Sequence, residues 1–317
     1  MTTPDQAMTV TNRSRRLAVI TVVRGRHQHL IGQLAGLAAS RRLPDIYVAV
    51  AMDDPEVAAI CAMTAVGIPQ ICTATIGLSG DGDLPMAAAR NLGARTALDA
   101  GADDLVFLDV DCIPGPTLTE RYSWGLATAY RLVGLDTPVL LCGDVAYLPP
   151  SPATTGGFPL QRLEALAEPH PARPALGPLD LVLEDDLNRF WSLSFAMSAE
   201  DWKVVCGFCE DYTGYGGEDT DFAQRVGAAE GRLIWVGGTK AYHQYHPSPS
   251  PPLQHLISIV RNANTFHEHW GWHPMLSWLR EFEALGLARR DSDGKTWVVT
   301  GGPHPSAVVE EPSLAVS

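Results

Sequence analysis

The chain has 317 residues, 46% of them hydrophobic and 19% charged, with a formal net charge of −13. This is the composition of a soluble globular protein with room for one large domain and some appendages. The acidic balance argues against sequence-independent binding to nucleic acid and against an anionic membrane surface, and no apolar run reaches the ~18 residues that a membrane span needs. An anionic substrate would therefore need local neutralisation by a metal or by arginines.

Taken in chain order, residues 1–16 are polar and are expected to be disordered. Residues 17–23 read as a first strand; the run is too short for a signal-peptide core and leads into Arg24. A helix is expected over 29–39, a strand over 46–52 ending at Asp53, a helix over 57–66 and a strand over 71–76. After a glycine-rich loop, Pro85 opens a helix over 86–100. The next strand, 105–110, is followed by a helix over 116–132 and a strand over 139–142. Strands alternating with helices predict an α/β fold, Rossmann-like, with a mixed but mostly parallel sheet and helices on both faces. Residues 149–180 are rich in Pro, Ala and Gly and read as a mobile loop beside the site. Beyond it come a strand over 191–197, a helix capped by Ser198, a helix over 218–231 and a strand over 233–236. Residues 248–290 are read as a helical extension after a proline-rich linker, and 291–317 as a weakly ordered tail. The six scattered cysteines look like buried small residues of a cytoplasmic protein. Cys206 and Cys209 have the spacing of half a zinc site, but no second pair completes it.

Asp109 and Asp111 end the apolar run at 105–110. In an extended strand, residues i and i+2 point to one side, so the two carboxylates should converge where the strand leaves the sheet. Carboxylates that close repel unless a cation lies between them. Ligands of doubly wound sheets bind at the carboxyl ends of strands, where Asp53 also lies, placed to accept from a uracil or ribose group. Arg90, on the helix over 86–100, is placed to meet a carboxylate or a diphosphate, as is Arg24. A second acidic knot, Glu218-Asp219-Thr220-Asp221, follows Gly216 and Gly217, and a histidine pair, His243 and His246, lies beyond it. Together these residues suggest a divalent-metal site and a separate catalytic base.

In this order, four segments resemble the GT-A glycosyltransferases. The likeness is to the inverting family 2 type, with a C-terminal part similar to the β-1,4-galactosyltransferase and polypeptide N-acetylgalactosaminyltransferase families. The segments are Val22 to Arg26; Pro85 to Ala94, with its Ala89-Arg90-Asn91; Asp109-Val110-Asp111; and Gly207 to Phe222, with its Gly214-Tyr215-Gly216-Gly217-Glu218-Asp219. The resemblance covers about residues 17–247 and implies one GT-A domain, with a nucleotide half near 17–115 and an acceptor half near 139–247. It implies Mn²⁺ or Mg²⁺ held by Asp109, Asp111 and His243, with His246 as competitor for the third ligand. It also implies a UDP-sugar donor contacted by Arg24, Asp53, Arg90 and Asp109, and a glycan, glycoside or small-molecule acceptor. Asp219 matches the family's base position, with Glu218 beside it, and Gly217 would let the backbone approach a sugar. Tyr215 stands where a tryptophan is common and Cys206 where a glycine is common; Tyr keeps a flat ring for stacking on a sugar.

Three other readings belong to different classes. A nucleotidyltransferase shares the sheet and the acidic pair, but would carry a glycine-rich loop with a lysine after the first strand, and Arg24-Gly25-Arg26 lacks that pattern. A non-catalytic sugar-binding relative would be expected to lose Asp109, Asp111 or Asp219. A haloacid-dehalogenase phosphatase places its acidic pair on the first strand, whereas here three strands come earlier.

Overall fold

Strands β1 (Leu17–Val23) and β2 (Ile46–Met52) are buried along their whole length, as central strands with helices on both faces must be. The computed structural model describes residues 14–301 apart from 81, 151–157, 172 and 248. The further strands are β3 (Gln70–Ile76), β4 (Asp104–Leu108), β5 (Cys112–Pro114), β6 (Val139–Tyr147), β7 (Glu168–Pro169), β8 (Leu181–Glu184), β9 (Ser194–Ser198), β10 (Arg232–His243), β11 (Ala288–Arg290) and β12 (Trp297–Val299). The α-helices are α1 (His27–Ala38), α2 (Glu56–Thr64), α3 (Met86–Asp99), α4 (Leu118–Val133), α5 (Leu163–Leu166), α6 (Ala199–Val205), α7 (Glu218–Ala228), α8 (Leu256–Trp270) and α9 (Leu276–Ala284).

The main sheet runs β3-β2-β1-β4-β9-β6-β10-β5. β1 to β4 pair in parallel, as do β6 and β10, while β9 is antiparallel to both β4 and β6. This is the expected mixed, mostly parallel GT-A arrangement. The two-residue period of β1 sorts its side chains into two cores. Leu17, Val19 and Val23 pack with α1, α2 and α4, whereas Ala18, Ile20 and Val22 pack with α3, α6 and α7. Gly93 permits the close approach of α3, because a Cβ there would stand 2.5 Å from Cγ2 of Ile20.

Several boundaries differ from expectation. β10 runs on to His243 through a register shift between Val236 and Ala241. The Gly237-Gly238 pair that suggests a strand end is instead an irregularity inside the strand. Gly237 is needed there, since its Cβ would collide with the carbonyl of Gly177. The span 149–180, expected to be a bare loop, carries a 3₁₀ turn at Leu160–Arg162, then α5 and β7. Glu164 anchors it by accepting from Tyr242 Oη at 2.6 Å and from Lys240 at 2.8 Å; residues 151–157 and 172 lie outside the described residues. β8 was not expected at all.

At the N-terminus, Arg15 and Arg16 do not belong to a disordered segment. Arg15 pairs with Asp104 at 2.8 Å, and the Arg16 N–H donates to Asp103 at 2.8 Å; residues 1–13 lie outside the described residues. The tail from 291 is likewise tied down as far as it is described. β11 and β12 form a hairpin, and Trp297 joins Leu256, Ile259, Leu279 and Phe282 in a separate small core. Residues 302–317 lie outside the described residues. Among the described residues, no helix is long and apolar enough to cross a membrane.

Candidate active site

The carboxyl ends of β1, β2, β4 and β10 and the start of β9 share one edge of the sheet, and the site is built there. β4 ends at Leu108. The chain then turns, with the Cys112 N–H donating to the Asp109 carbonyl at 2.9 Å. Asp109 and Asp111 therefore lie in a turn and not along a strand, which corrects the i, i+2 argument, although the two carboxylates are close enough for Asp111 to raise Asp109. They take different partners. The turn is held from below by Gln33, fully buried on α1, whose amide donates to the Asp109 carbonyl at 2.8 Å and accepts from Tyr47 Oη at 2.9 Å.

Asp111 faces two imidazoles. Its Oδ1 lies 3.5 Å from His243 Nε2, and its Oδ2 lies 3.4 Å from His246 Nε2 and 3.6 Å from Arg26. β5 and β10 set this up: Cys112 is registered opposite His243, and the Gln244 N–H donates to the Asp111 carbonyl at 2.7 Å. Burial pushes the Asp111 carboxyl up, but His246, His243 and Arg26 outweigh it and hold it at about 2. Burial keeps His243 below the ordinary histidine value, hence neutral and able to ligate. One ligand atom from each of Asp111, His243 and His246 lies within 4.8 Å of the others.

These residues fit a divalent cation. The Asp111–imidazole separations exceed good hydrogen-bond lengths, yet they suit donors sharing one ion. His243 faces Asp111 through Nε2, and its Nδ1 is buried without a hydrogen-bond partner. Imidazole in the set suits Mn²⁺ better than Mg²⁺.

Asp109 turns the other way, toward Arg90. This arginine, 4% exposed on α3, places Nη2 3.4 Å from Asp109 Oδ1, and Nη1 3.5 Å from Glu218 Oε1 and 3.4 Å from Asp219 Oδ1. Its guanidinium also lies over the Phe208 ring at 5.2 Å. Asp219 is fixed on its other side by Ser192, whose N–H and Oγ–H each donate to Oδ2 at 3.0 Å. Burial is the main cause that raises both Asp109 and Glu218 to about 7; like charges, from Asp111 and Asp219 in the first case and Asp219 in the second, add to it against the pull of Arg90.

The other expected residues lie around this centre. Arg24 reaches the Met52 carbonyl at 2.9 Å and Asp53 at 3.5 Å, so this pair sits together at the exposed rim. Asp54, rather than Asp53, holds the loop after β1: it accepts from the Gly25 N–H at 2.6 Å and contacts His27 at 2.9 Å. Tyr215 is half exposed, with one ring face stacked on His255 at 4.6 Å. Gly217, at φ 96°, packs against protein: its Cβ would lie 3.1 Å from the Tyr212 ring. The 213–216 backbone is pinned by fully buried Asn262 of α8, which donates to the carbonyls of Thr213 at 2.9 Å and Gly216 at 2.8 Å. Asp221 is buried away from the site, accepting from Trp270 Nε1 at 2.8 Å.

Sequence reading missed Gln33, Ser192, Asp54 and the orientation of Arg26. It also missed a line of rings, Trp191 to His170 at 4.8 Å, His170 to Tyr147 at 5.1 Å and Tyr147 to His243 at 5.0 Å, joining the two halves of the site. Of these four rings the sequence reading singled out His243, as a candidate metal ligand.

Comparisons with known proteins point to glycosyltransferases. A family model described as the N-terminal domain of galactosyltransferase matches residues 181–247, the stretch that holds Ser192, Glu218, Asp219 and His243. Two proteins named validoxylamine A glucosyltransferase, from Streptomyces hygroscopicus subsp. jinggangensis (strain 5008) and subsp. limoneus, are each 31% identical over 219 residues, 61% of this chain. The match covers 47% and 44% of those proteins, so the chain spans under half the length of the curated relatives it matches. The crystal structure of S. aureus TarS superposes with a TM-score of 0.51 at 12% identity, covering 78% of this chain and 39% of TarS. The sheet topology and the TarS superposition give this chain a GT-A-like fold, and its sequence is similar in part to a galactosyltransferase family model and to curated glucosyltransferases.

Proposed function

We propose that this chain is a metal-dependent, inverting glycosyltransferase that moves a hexose or N-acetylhexosamine from a UDP-sugar to an acceptor hydroxyl. The observation that carries the reading is the division of the sheet edge into two charged centres. One, Asp111 with His243 and His246, has the donor set of a divalent cation. The other, Arg90 with Asp109, Glu218 and Asp219, holds carboxylates beside it with no other cation paired among the described residues. The names of the two curated relatives favour a glucosyl donor within this class and make validoxylamine A the first acceptor to test.

Asp111, His243 and His246 would hold the ion, which supplies Lewis-acid stabilisation of the charge growing on the departing diphosphate. Asp109 would orient the donor from the Arg90 side. Arg24 and Asp53 at the rim would meet the nucleoside. Asp219 would take the acceptor hydroxyl proton as that oxygen attacks the anomeric carbon, with Ser192 and Arg90 keeping the carboxylate aimed. Glu218 is a specific competitor for that role, because its value near 7 suits a group that gains and loses a proton at neutral pH.

The test is a contrast of two variants. Asp219→Asn should lower transfer by about 10²–10⁴-fold with UDP binding unchanged. Asp111→Asn should lose Mn²⁺-dependent UDP binding together with turnover. Near-normal transfer by Asp219→Asn, with the loss appearing in Glu218→Gln, would move the base to Glu218.

A further inference from the structure

A second cluster of metal-ligating side chains lies outside the active site, where the 207–212 turn meets the end of α8. Cys209 Sγ stands 3.6 Å from Asp211 Oδ2, and His269 Nε2 stands 3.9 Å from the same oxygen. One ligand atom from each of the three lies within 4.8 Å of the others. A tetrahedral zinc ion with ordinary Zn–S, Zn–N and Zn–O bonds spaces its ligands about 3.4–3.6 Å apart; the Cys209–Asp211 separation matches this, and a small rotation of the exposed Asp211 and His269 side chains would close the 3.9 Å contact.

The imidazole is also oriented as a ligand would be. His269 Nδ1 lies 3.5 Å from Asp221 Oδ2 and 3.5 Å from Tyr212 Oη, which leaves Nε2 facing Cys209 and Asp211. Asp221 is in turn buried and fixed by Tyr212 Oη–H at 3.2 Å and Trp270 Nε1–H at 2.8 Å. A carboxylate behind the imidazole is the arrangement found behind metal-bound histidines, and here it stands at 3.5 Å, close enough to orient the ring. Cys206 and Cys209 had the spacing of half a zinc site in the sequence; the structure leaves Cys206 out and completes the set from a helix sixty residues downstream.

We propose that Cys209, Asp211 and His269 form a structural site for a zinc-like divalent cation, with water in the fourth position. Thiolate and imidazole select zinc over the harder ions suited to the Asp111 centre. Binding releases the Cys209 thiol proton to solvent and clamps the turn that leads into the acceptor loop onto α8.

The test uses the full metal-free chain and Co²⁺ as a spectroscopic probe, titrated by absorbance. A thiolate-to-cobalt charge-transfer band should appear, saturate, and be displaced by Zn²⁺. It should vanish in Cys209→Ser and persist in Cys112→Ser, the control for the thiol beside Asp111. His269→Gln should weaken binding at least as much as loss of an outer partner does, roughly tenfold or more. Asp211→Asn, at an exposed position, gives a second variant that leaves the fold intact. A wild-type chain without the band, or a band that survives in Cys209→Ser, would show the cluster to be a thiol–carboxylate contact and an ion pair with no metal role.

Discussion

Arg90 answers three carboxylates with one charge, and each contact is 3.4–3.5 Å long. Desolvation therefore wins over pairing at Glu218, and its carboxyl is raised to about 7. Because the folded value lies above the unfolded one, its contribution to stability is fully present below the ordinary glutamate range and is lost as pH rises through about 7. Glu218→Gln should come nearest the wild-type melting temperature below the ordinary glutamate range and exceed it above neutrality, as read by calorimetry of the metal-free chain. A variant no more stable than wild type at pH 8 would mean that Arg90 fully compensates the charge. The residue types of this centre were legible in the sequence. That Arg90 would meet a carboxylate was legible too; the separation of Asp109 from Asp111 was not, because the i, i+2 rule holds only in extended chain and the chain turns at Asp109. Arg26 could not have been foreseen either: it faces Asp111 from a left-handed backbone conformation, φ 52°, that nothing in its local sequence demands.

The most regular elements were the most legible. β1 and β2 fall where their apolar runs predict, and Ser198 caps α6 by accepting from the Asp201 N–H at 3.0 Å. Continuous burial and a capping residue are local signals. The end of β10 was not legible, since its continuation past Gly237-Gly238 depends on partners in β5 and β6 that are distant in sequence. Gly216 and Gly217 were expected to let the backbone approach a sugar; in the structure they and Gly214 lie close against protein side chains. A Cβ on Gly214 would stand 2.5 Å from Ser258 Cβ, and one on Gly216 2.5 Å from Met275 Sδ. The acceptor loop thus takes its shape from the C-terminal lobe, with Asn262 as its anchor. Asn262→Ala should destabilise the fold by about 1–3 kcal/mol, because buried carbonyls lose their donor. It should also raise the acceptor KM while leaving UDP affinity near normal. Urea unfolding and initial rates read the two effects, and an unchanged acceptor KM would separate α8 from the acceptor loop.

At the scale of the whole molecule, the sheet gathers chemistry from five separated stretches of chain onto one edge, and the small core of α8, α9 and the β11–β12 hairpin braces the acceptor side. The alternation of strands and helices announced this architecture; the bracing role of the C-terminal lobe is purely tertiary and left no local mark. The central claim is that nucleotide binding runs through a cation held by Asp111, His243 and His246. Calorimetry of UDP against the chain, with Mn²⁺ and after EDTA treatment, tests it most directly. The account predicts saturable binding with Mn²⁺ and its loss after EDTA, and equal UDP affinity in both conditions would contradict it.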